Sequence, residues 1–423
     1  MCLPADVFAL IVAQVDTGDN KTLRSLCLTN RFLGWEATKR LYRELDDTPS
    51  RASIHCKLLT TLISHPDLAA IVRSYGLRNI SREAWHTEDE LYKLIAAKGE
   101  DDDPMDPLEE LITILLSKAL PLMVNLKEFT FSDRLQKPEA SALLISADFQ
   151  LEKLEWGNGW DGAFLDFLER QRALKWIKIH PSDSNLQACN IAHPIPPLPW
   201  QNLTTLAGPQ AVVEAILPFA PGVRNLELHF TGRYHYQSIT SIFDLSRDIA
   251  KCLGQLTRLT FQNYYTDISV TALEGAVDNL EYLAVGCLMY GSVSFPSPSL
   301  RESRMADKLW STAQNAQVST FVSRLKKLKM FVLLSANTDS VVSCRALAVD
   351  MLRESESLEQ VIMDSMLRYL APGSPQMGYF LLSRGSEELR RLRWDTTHLN
   401  RFMLPACEED TTRWVYIIFM PNT

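Results

Sequence analysis

The side chains able to do chemistry in this chain are dispersed rather than gathered into a motif. Eight histidines are spread over 423 residues. No H-E-x-x-H, G-x-S-x-G, phosphate-cradling glycine loop, or H-x-E with C-x-x-C occurs. His229 and His235 flank a glycine with no third metal ligand nearby, which reads as a surface turn before a zinc site. The eight cysteines (Cys2, Cys27, Cys56, Cys189, Cys252, Cys287, Cys344, Cys407) lie far apart. That spacing argues against zinc and against a disulfide framework, and for small buried apolar groups in a reducing compartment. The expectation is a chain that is not an enzyme and holds no metal or cofactor.

Binding chemistry is a different matter. Trp176, Lys178 and His180 alternate with apolar residues, as do Asn225, Glu227 and His229. Arg258, Tyr282, Arg304, Lys327, Lys329, Arg391 and Arg393 continue the series and make its later part basic, although the chain carries a net charge of −8. On one sheet face such cations would add into a positive field suited to an acidic or phosphorylated segment. The competing reading is a solvated face, partly neutralised by Glu302, Asp364 and Asp395. A pI near 5.6 disfavours nucleic acid or anionic lipid as a whole-molecule partner.

These positions belong to a repeat. Apolar-x-x-apolar-x-apolar starts at Leu126, Leu151, Leu174, Val223, Leu256, Leu280, Leu325, Leu358 and Leu389, with weaker copies at Val72, Leu203 and Leu300. Successive starts are 20 to 33 residues apart, except for 54 after Val72. Each copy predicts a strand with one buried face. Helices are expected between them at Leu108 to Leu122, started by Asp106-Pro107, and at 163–170, 210–219, 238–253, 312–324, 341–354 and 376–384. Strand, helix, strand implies parallel strands joined by crossovers, and units that stack because none covers its own apolar face. An ordinary doubly wound α/β domain is the alternative, disfavoured because twelve strands exceed the usual sheet. Gly99 to Pro104, His193 to Trp200 and Ser292 to Ser299 read as surface loops; the second also has a PxxP-like composition.

The first 45 residues differ. Val7, Leu10, Ile11, Gln14 and Val15 share one helical face; Asp19 or Asn20 can cap a second helix with Leu23, Leu26, Cys27 and Leu28; and Arg31-Phe32 open a third with Trp35, Leu41 and Tyr42. Three such short helices cannot bury all these groups among themselves, so some face the rest of the chain or another molecule. A terminal cap on the array is one reading.

Leu3-Pro4, Asp6, Val7 to Val15, Leu23 to Leu28, Arg31-Phe32 and Leu41-Tyr42 together resemble the F-box in its fungal form. The helix, His65-Pro66 break and strand of 58–77 are similar to the segment after the motif in many fungal F-box proteins. The repeats resemble the long, irregular leucine-rich repeats found behind many F-boxes. They lack the asparagine or cysteine three positions past each strand, so no buried side-chain ladder is expected there.

The resemblance implies an α/β protein: an F-box at 1–45, a helical linker at 46–70 and a curved leucine-rich-repeat-like solenoid with a parallel sheet at 71–423. It implies a substrate-recognition subunit of a Skp–cullin–F-box ubiquitin ligase. Leu3, Pro4, Val7, Ile11, Leu23, Leu26, Leu28 and Phe32 would contact a Skp-type adaptor, and through it a cullin–RING ligase, while the solenoid holds a protein substrate. A repeat scaffold with no ubiquitin role is the alternative. No signal peptide and no run of about 18 apolar residues is found, so the expected location is cytosol or nucleus and no membrane is involved.

Overall fold

Alternating side chains in a strand point to opposite faces, so each six-residue motif should give one strand with a single apolar face. The computed structural model of the chain describes residues 5–16, 19–45, 52–77, 105–131, 140–158, 161–180, 200–229, 252–262, 275–287, 319–335, 341–365, 378–385 and 390–392. Ten of the twelve motifs fall in strands; the copy at Leu325 lies ahead of its strand, which runs Met330–Ser335 and fits a start at Leu328, and the copy at Leu300 lies outside the described residues. The fold is mixed α/β with a mostly parallel sheet.

Two compact units divide at Gly222. In the first, β1 (Glu44–Leu45), β2 (Ser74–Leu77), β3 (Glu128–Phe131), β4 (Lys153–Trp156), β5 (Trp176–Ile179) and β6 (Thr205–Pro209) lie side by side, in sequence order and parallel. In the second, β7 (Asn225–His229), β8 (Arg258–Gln262), β9 (Tyr282–Cys287), β10 (Met330–Ser335) and β11 (Gln360–Ser365) follow the same rule. A doubly wound sheet reverses its strand order at a switch point. Neither unit does, so both are repeat arrays.

The end of the second array departs from expectation. Residues 376–384, predicted as a helix, hold β12 (Gly378–Ser383), which pairs antiparallel with β11 and with β13 (Arg390–Leu392). A short apolar run has no period long enough to separate helix from strand. Gly385, at φ +77°, ends β12 in a conformation that favours glycine.

Around the strands stand the helices. Between α3 (Arg31–Arg43) and β2 come α4 (Ala52–Ser64) and α5 (Pro66–Ala69), in the segment expected to be a linker. There α4 packs beside α6 (Met105–Ala119). Pro107 lies in the first turn of α6, as expected, while Asp106 lies inside that turn rather than before it as a cap. α7 (Gly162–Arg170) is capped by Asp161, and α8 (Gln210–Ile216) and α9 (Val341–Glu354) match the expected spans closely. Residues 319–324 are helical, while most of 238–253 lies outside the described residues.

The apolar rungs run across strands in register: Tyr75, Phe129, Leu154, Ile177 and Leu206 in one row, and Leu77, Phe131, Trp156 and Ile179 in the next. All are buried. Trp156 stacks on Phe131 at 5.3 Å and on Phe164 of α7 at 4.9 Å. Each such pair adds roughly 0.5–1.5 kcal/mol beyond area burial.

Asparagine does bridge single repeat junctions, at another place and not in adjacent repeats. Asn125, Asn202 and Asn279, each just before a motif leucine, donate side-chain amides to the carbonyls of Ala70, Arg172 and Gly254 in the preceding repeat, at 2.7, 3.0 and 2.6 Å. Gly222 closes the first unit where only a hydrogen fits: a Cβ would lie 2.9 Å from the Leu203 carbonyl.

His55 of α4 is fully buried, its Nδ1 3.4 Å from the Tyr75 hydroxyl and its Nε2 without a hydrogen-bond partner. Burial lowers its pKa from 6.5 to about 4. Between those pH values the unfolded chain binds a proton here that the folded chain refuses. Stability therefore falls as pH drops through that window and levels off below it. The loss is on the order of 3 kcal/mol. We expect His55→Leu to flatten this part of the stability profile relative to wild type, measured by denaturant unfolding between pH 7 and 4. An identical slope in both proteins would remove His55 from the account.

Candidate functional site

Two surfaces were expected to bind: the sheet face opposite the apolar rungs, and the amino-terminal helices. On the first unit's sheet face, one row is Ser74, Glu128, Lys153, Trp176 and Thr205, and the next is Gly76, Thr130, Glu155, Lys178 and Ala207. Trp176 is half-buried under Lys153, whose Nζ is 4.9 Å from the ring centroid. The second row is covered. Lys178, expected on an open face, is 0% exposed, and its register neighbour Glu155 is 1% exposed. Glu155 bonds His180 Nε2 at 2.7 Å through Oε1 and accepts from the Thr130 hydroxyl at 3.4 Å through Oε2.

Taking such charges out of water costs several kcal/mol each, offset only by close partners. The middle of this face is therefore a buried polar knot that holds β3, β4 and β5 in register, not an open concavity. Pattern alone could not show this, because alternation tells which residues share a face and not whether that face is covered.

The second unit repeats the theme. Glu227 and His229 are both buried and bonded to each other at 2.6 Å. The row Glu227, Thr260, Ala284, Val332 and Ile362 turns apolar towards β11, with Ala284, Val332 and Ile362 all buried. Such strands are covered on both faces, as parallel strands usually are. Arg258 lies over the Tyr282 ring at 5.8 Å, and burial raises the Tyr282 pKa, keeping the phenol protonated.

Lys327 and Lys329 are exposed but sit ahead of β10 rather than on the face. Lys327 donates to Asn279 at 2.7 Å and Lys329 to Glu281 at 3.0 Å. That bond to Glu281 raises the Lys329 pKa. Arg391 lies in β13 opposite Phe380, while Arg304 and Arg393 are outside the described residues. Each described member in this unit thus has its own local setting.

The amino-terminal helices are α1 (Ala5–Ala13), α2 (Asn20–Cys27) and α3. Asp19 caps α2 by accepting from the Thr22 amide at 3.0 Å, and hydrogen bonding from the Thr22 side chain, then from this amide, lowers its pKa. Asn30 caps α3 by accepting from the amides of Phe32 and Leu33. Gly34 lets α3 approach α2: a Cβ there would sit 2.9 Å from the Cys27 carbonyl. The small core is Val12, Leu23 and Ala37, with Val15, Leu26, Leu33 and Leu41 packed against it.

This core corrects the expected contact set. Leu23 is buried and Leu26 is half-buried against the core, so both hold the triplet together. Val7 is half-buried, and Leu3 and Pro4 are outside the described residues. Ile11, Leu28 and Phe32 are open, at 44%, 88% and 58% exposure. Leu10 at 65% and Trp35 at 42% join them. Phe8 of α1 stacks on Phe32 of α3, centroids 6.0 Å apart, tying the two helices at this surface. The spacing groups Leu10 with Val7, Ile11 and Val15 on one helical face and does not single out Val12, which is the buried residue of α1. That helix is apolar almost all round, so spacing could not choose its inner side.

Among the described residues, no group of three or more His, Cys, Asp or Glu side chains could hold a metal, and no helix is long and apolar enough to cross a membrane. No protein-family model matches the chain, and no curated protein does. Among solved structures the chain is similar to an internalin from Listeria monocytogenes. That likeness has 14% identity over 57% of this chain and 69% of the other, with a TM-score of 0.26.

We expect Lys178→Ala and Glu155→Ala each to lower unfolding free energy by about 3–5 kcal/mol, because each strands a buried charge. The double variant Glu155→Leu with Lys178→Met should recover part of that loss in denaturant titrations. Single variants as stable as wild type would show the face to be open.

Proposed function

We propose that the chain is the substrate-recognition subunit of a Skp–cullin–F-box ubiquitin ligase, with α1–α3 acting as an F-box. The observation that supports this is the apolar surplus on that triplet. Leu10, Ile11, Leu28, Phe32 and Trp35 are exposed, while only Val12, Leu23 and Ala37 form a buried core. So many exposed apolar side chains on so small a unit are the mark of a partner site. A Skp-type adaptor is the partner the F-box pattern implies, through an interface of roughly 1,200–2,000 Å². The repeat arrays then hold a protein substrate near a ubiquitin-charged enzyme. The chain contributes proximity and no bond-making groups of its own. Such a ligase works in the cytosol or nucleus.

One observation favours a second reading, a repeat scaffold without a ubiquitin role. α3 runs directly into β1, and β1 pairs with β2. The helices are thus continuous with the first array, as a terminal cap would be.

Capture of a purified Skp-type adaptor by the full chain separates the two. Wild type should bind, and Leu28→Asp or Phe32→Asp should weaken binding about a hundredfold while thermal unfolding is unchanged. Leu23→Asp should instead unfold the triplet. Wild type failing to bind would favour the scaffold.

A further inference from the structure

The part of the apolar surface carried by α2 and α3 has a charged border whose sign opposes that of the whole chain, although on α1 the exposed Asp6 lies one turn before Leu10. Between Asn20 and Arg43 there are six cations and a single carboxylate, Glu36, whereas the chain as a whole carries −8. Glu36 is already engaged by Lys39 at 2.7 Å, and Lys39 also lies over the Trp35 ring at 5.3 Å. Arg24 and Arg31 are exposed and form no ion pair among the described residues.

Their positions put them at the edge of the open apolar surface. Arg24 is one helical turn before Leu28, and Arg31 is adjacent to Phe32 and one turn before Trp35. Leu28 and Phe32 are the open residues of the α2–α3 corner, and the Phe8–Phe32 stack carries the surface onto α1. An apolar centre with a one-signed rim selects by charge at its edge: the centre supplies affinity and the rim supplies association rate and discrimination. In an acidic chain, two exposed guanidiniums, without an ion pair among the described residues, give the edge beside Leu28 and Phe32 a direction.

We propose that the occupant of this face is an acidic protein surface, an apolar groove bordered by carboxylates that pair with Arg24 and Arg31. This rests on the reading that the face docks an adaptor, and it adds what the adaptor's groove must carry. Arginine suits the task because its planar fork meets a carboxylate at two points and remains charged at any physiological pH.

The test uses the full chain and purified Skp-type adaptor, with association rates measured from about 0.05 to about 0.5 M salt. Arg24→Glu with Arg31→Glu should slow association at least tenfold at low salt, and the difference should shrink as salt rises. Arg24→Lys with Arg31→Lys should restore most of the rate. Thermal unfolding should be unchanged in all, since both side chains are exposed. If wild type binds, Leu28→Asp does not, and the arginine reversals bind as wild type at every salt, this inference falls while the docking reading stands. If wild type does not bind the adaptor, both fall. Self-association of the chain that Leu28→Asp abolishes would also overturn it, by making a second copy the occupant.

Discussion

Most of the parallel strands are opened by a residue whose carbonyl serves two amides of the next repeat, and the rest of each array depends on that junction. The Lys127 carbonyl accepts from the amides of Glu152 and Lys153, that of Glu152 from Lys175 and Trp176, and that of Lys175 from Thr204 and Thr205. In the second unit Arg224, Thr257, Glu281 and Lys329 do the same for the strands after them. A parallel ladder has slanted, weaker bonds than an antiparallel one, so a fixed starting point sets its register. Once the opening is fixed, Tyr75, Phe129, Leu154, Ile177 and Leu206 have to share a rung. The asparagines before the motif leucines clamp the same edge a few residues earlier.

The charged side chains of these opening residues are secondary. Glu152 bridges Lys175 at 2.6 Å and Lys127 at 4.0 Å, and its pKa is lowered mainly by the bond from Lys175. Both lysines are largely exposed, and exposed pairs contribute at most about 1 kcal/mol. Their alternation of sign avoids like charges on neighbouring repeats. The backbone bonds beneath carry the register.

Much of this was legible in the sequence because it is local. The motif leucines give strands at ten of twelve sites, and Asp19 caps its helix as a short polar side chain before an apolar run should, a rule that Asn30 and Asp161 also follow. What was not legible depends on distant chain. Lys178 and Glu155 look like solvent-facing residues of an alternating strand, yet they are buried, because covering of a sheet face is a tertiary fact. Leu10 and Val12 look alike on α1, and only packing against Leu23 and Ala37 decides which turns inward. The β12 segment has helical length and strand composition, and pairing with β11 and β13 settles it.

The two expected binding surfaces separate on one physical ground. On the sheet face, charges beside the apolar rungs sit close to complementary groups: Glu155 with His180, Glu227 with His229, and Arg258 over the Tyr282 ring. A face satisfied in this way has little to gain from a ligand, since a newcomer must replace bonds already made. On the amino-terminal helices the reverse holds. Leu28 at 88% exposure has only water to meet, and Arg24 and Arg31 have no carboxylate to meet among the described residues. Free energy remains to be released by association there, from apolar area at roughly 25 cal/mol per Å² and from charge pairing at the rim. That imbalance between a satisfied face and an unsatisfied one is the physical ground for proposing the helices, rather than the described part of the sheet, as the docking surface.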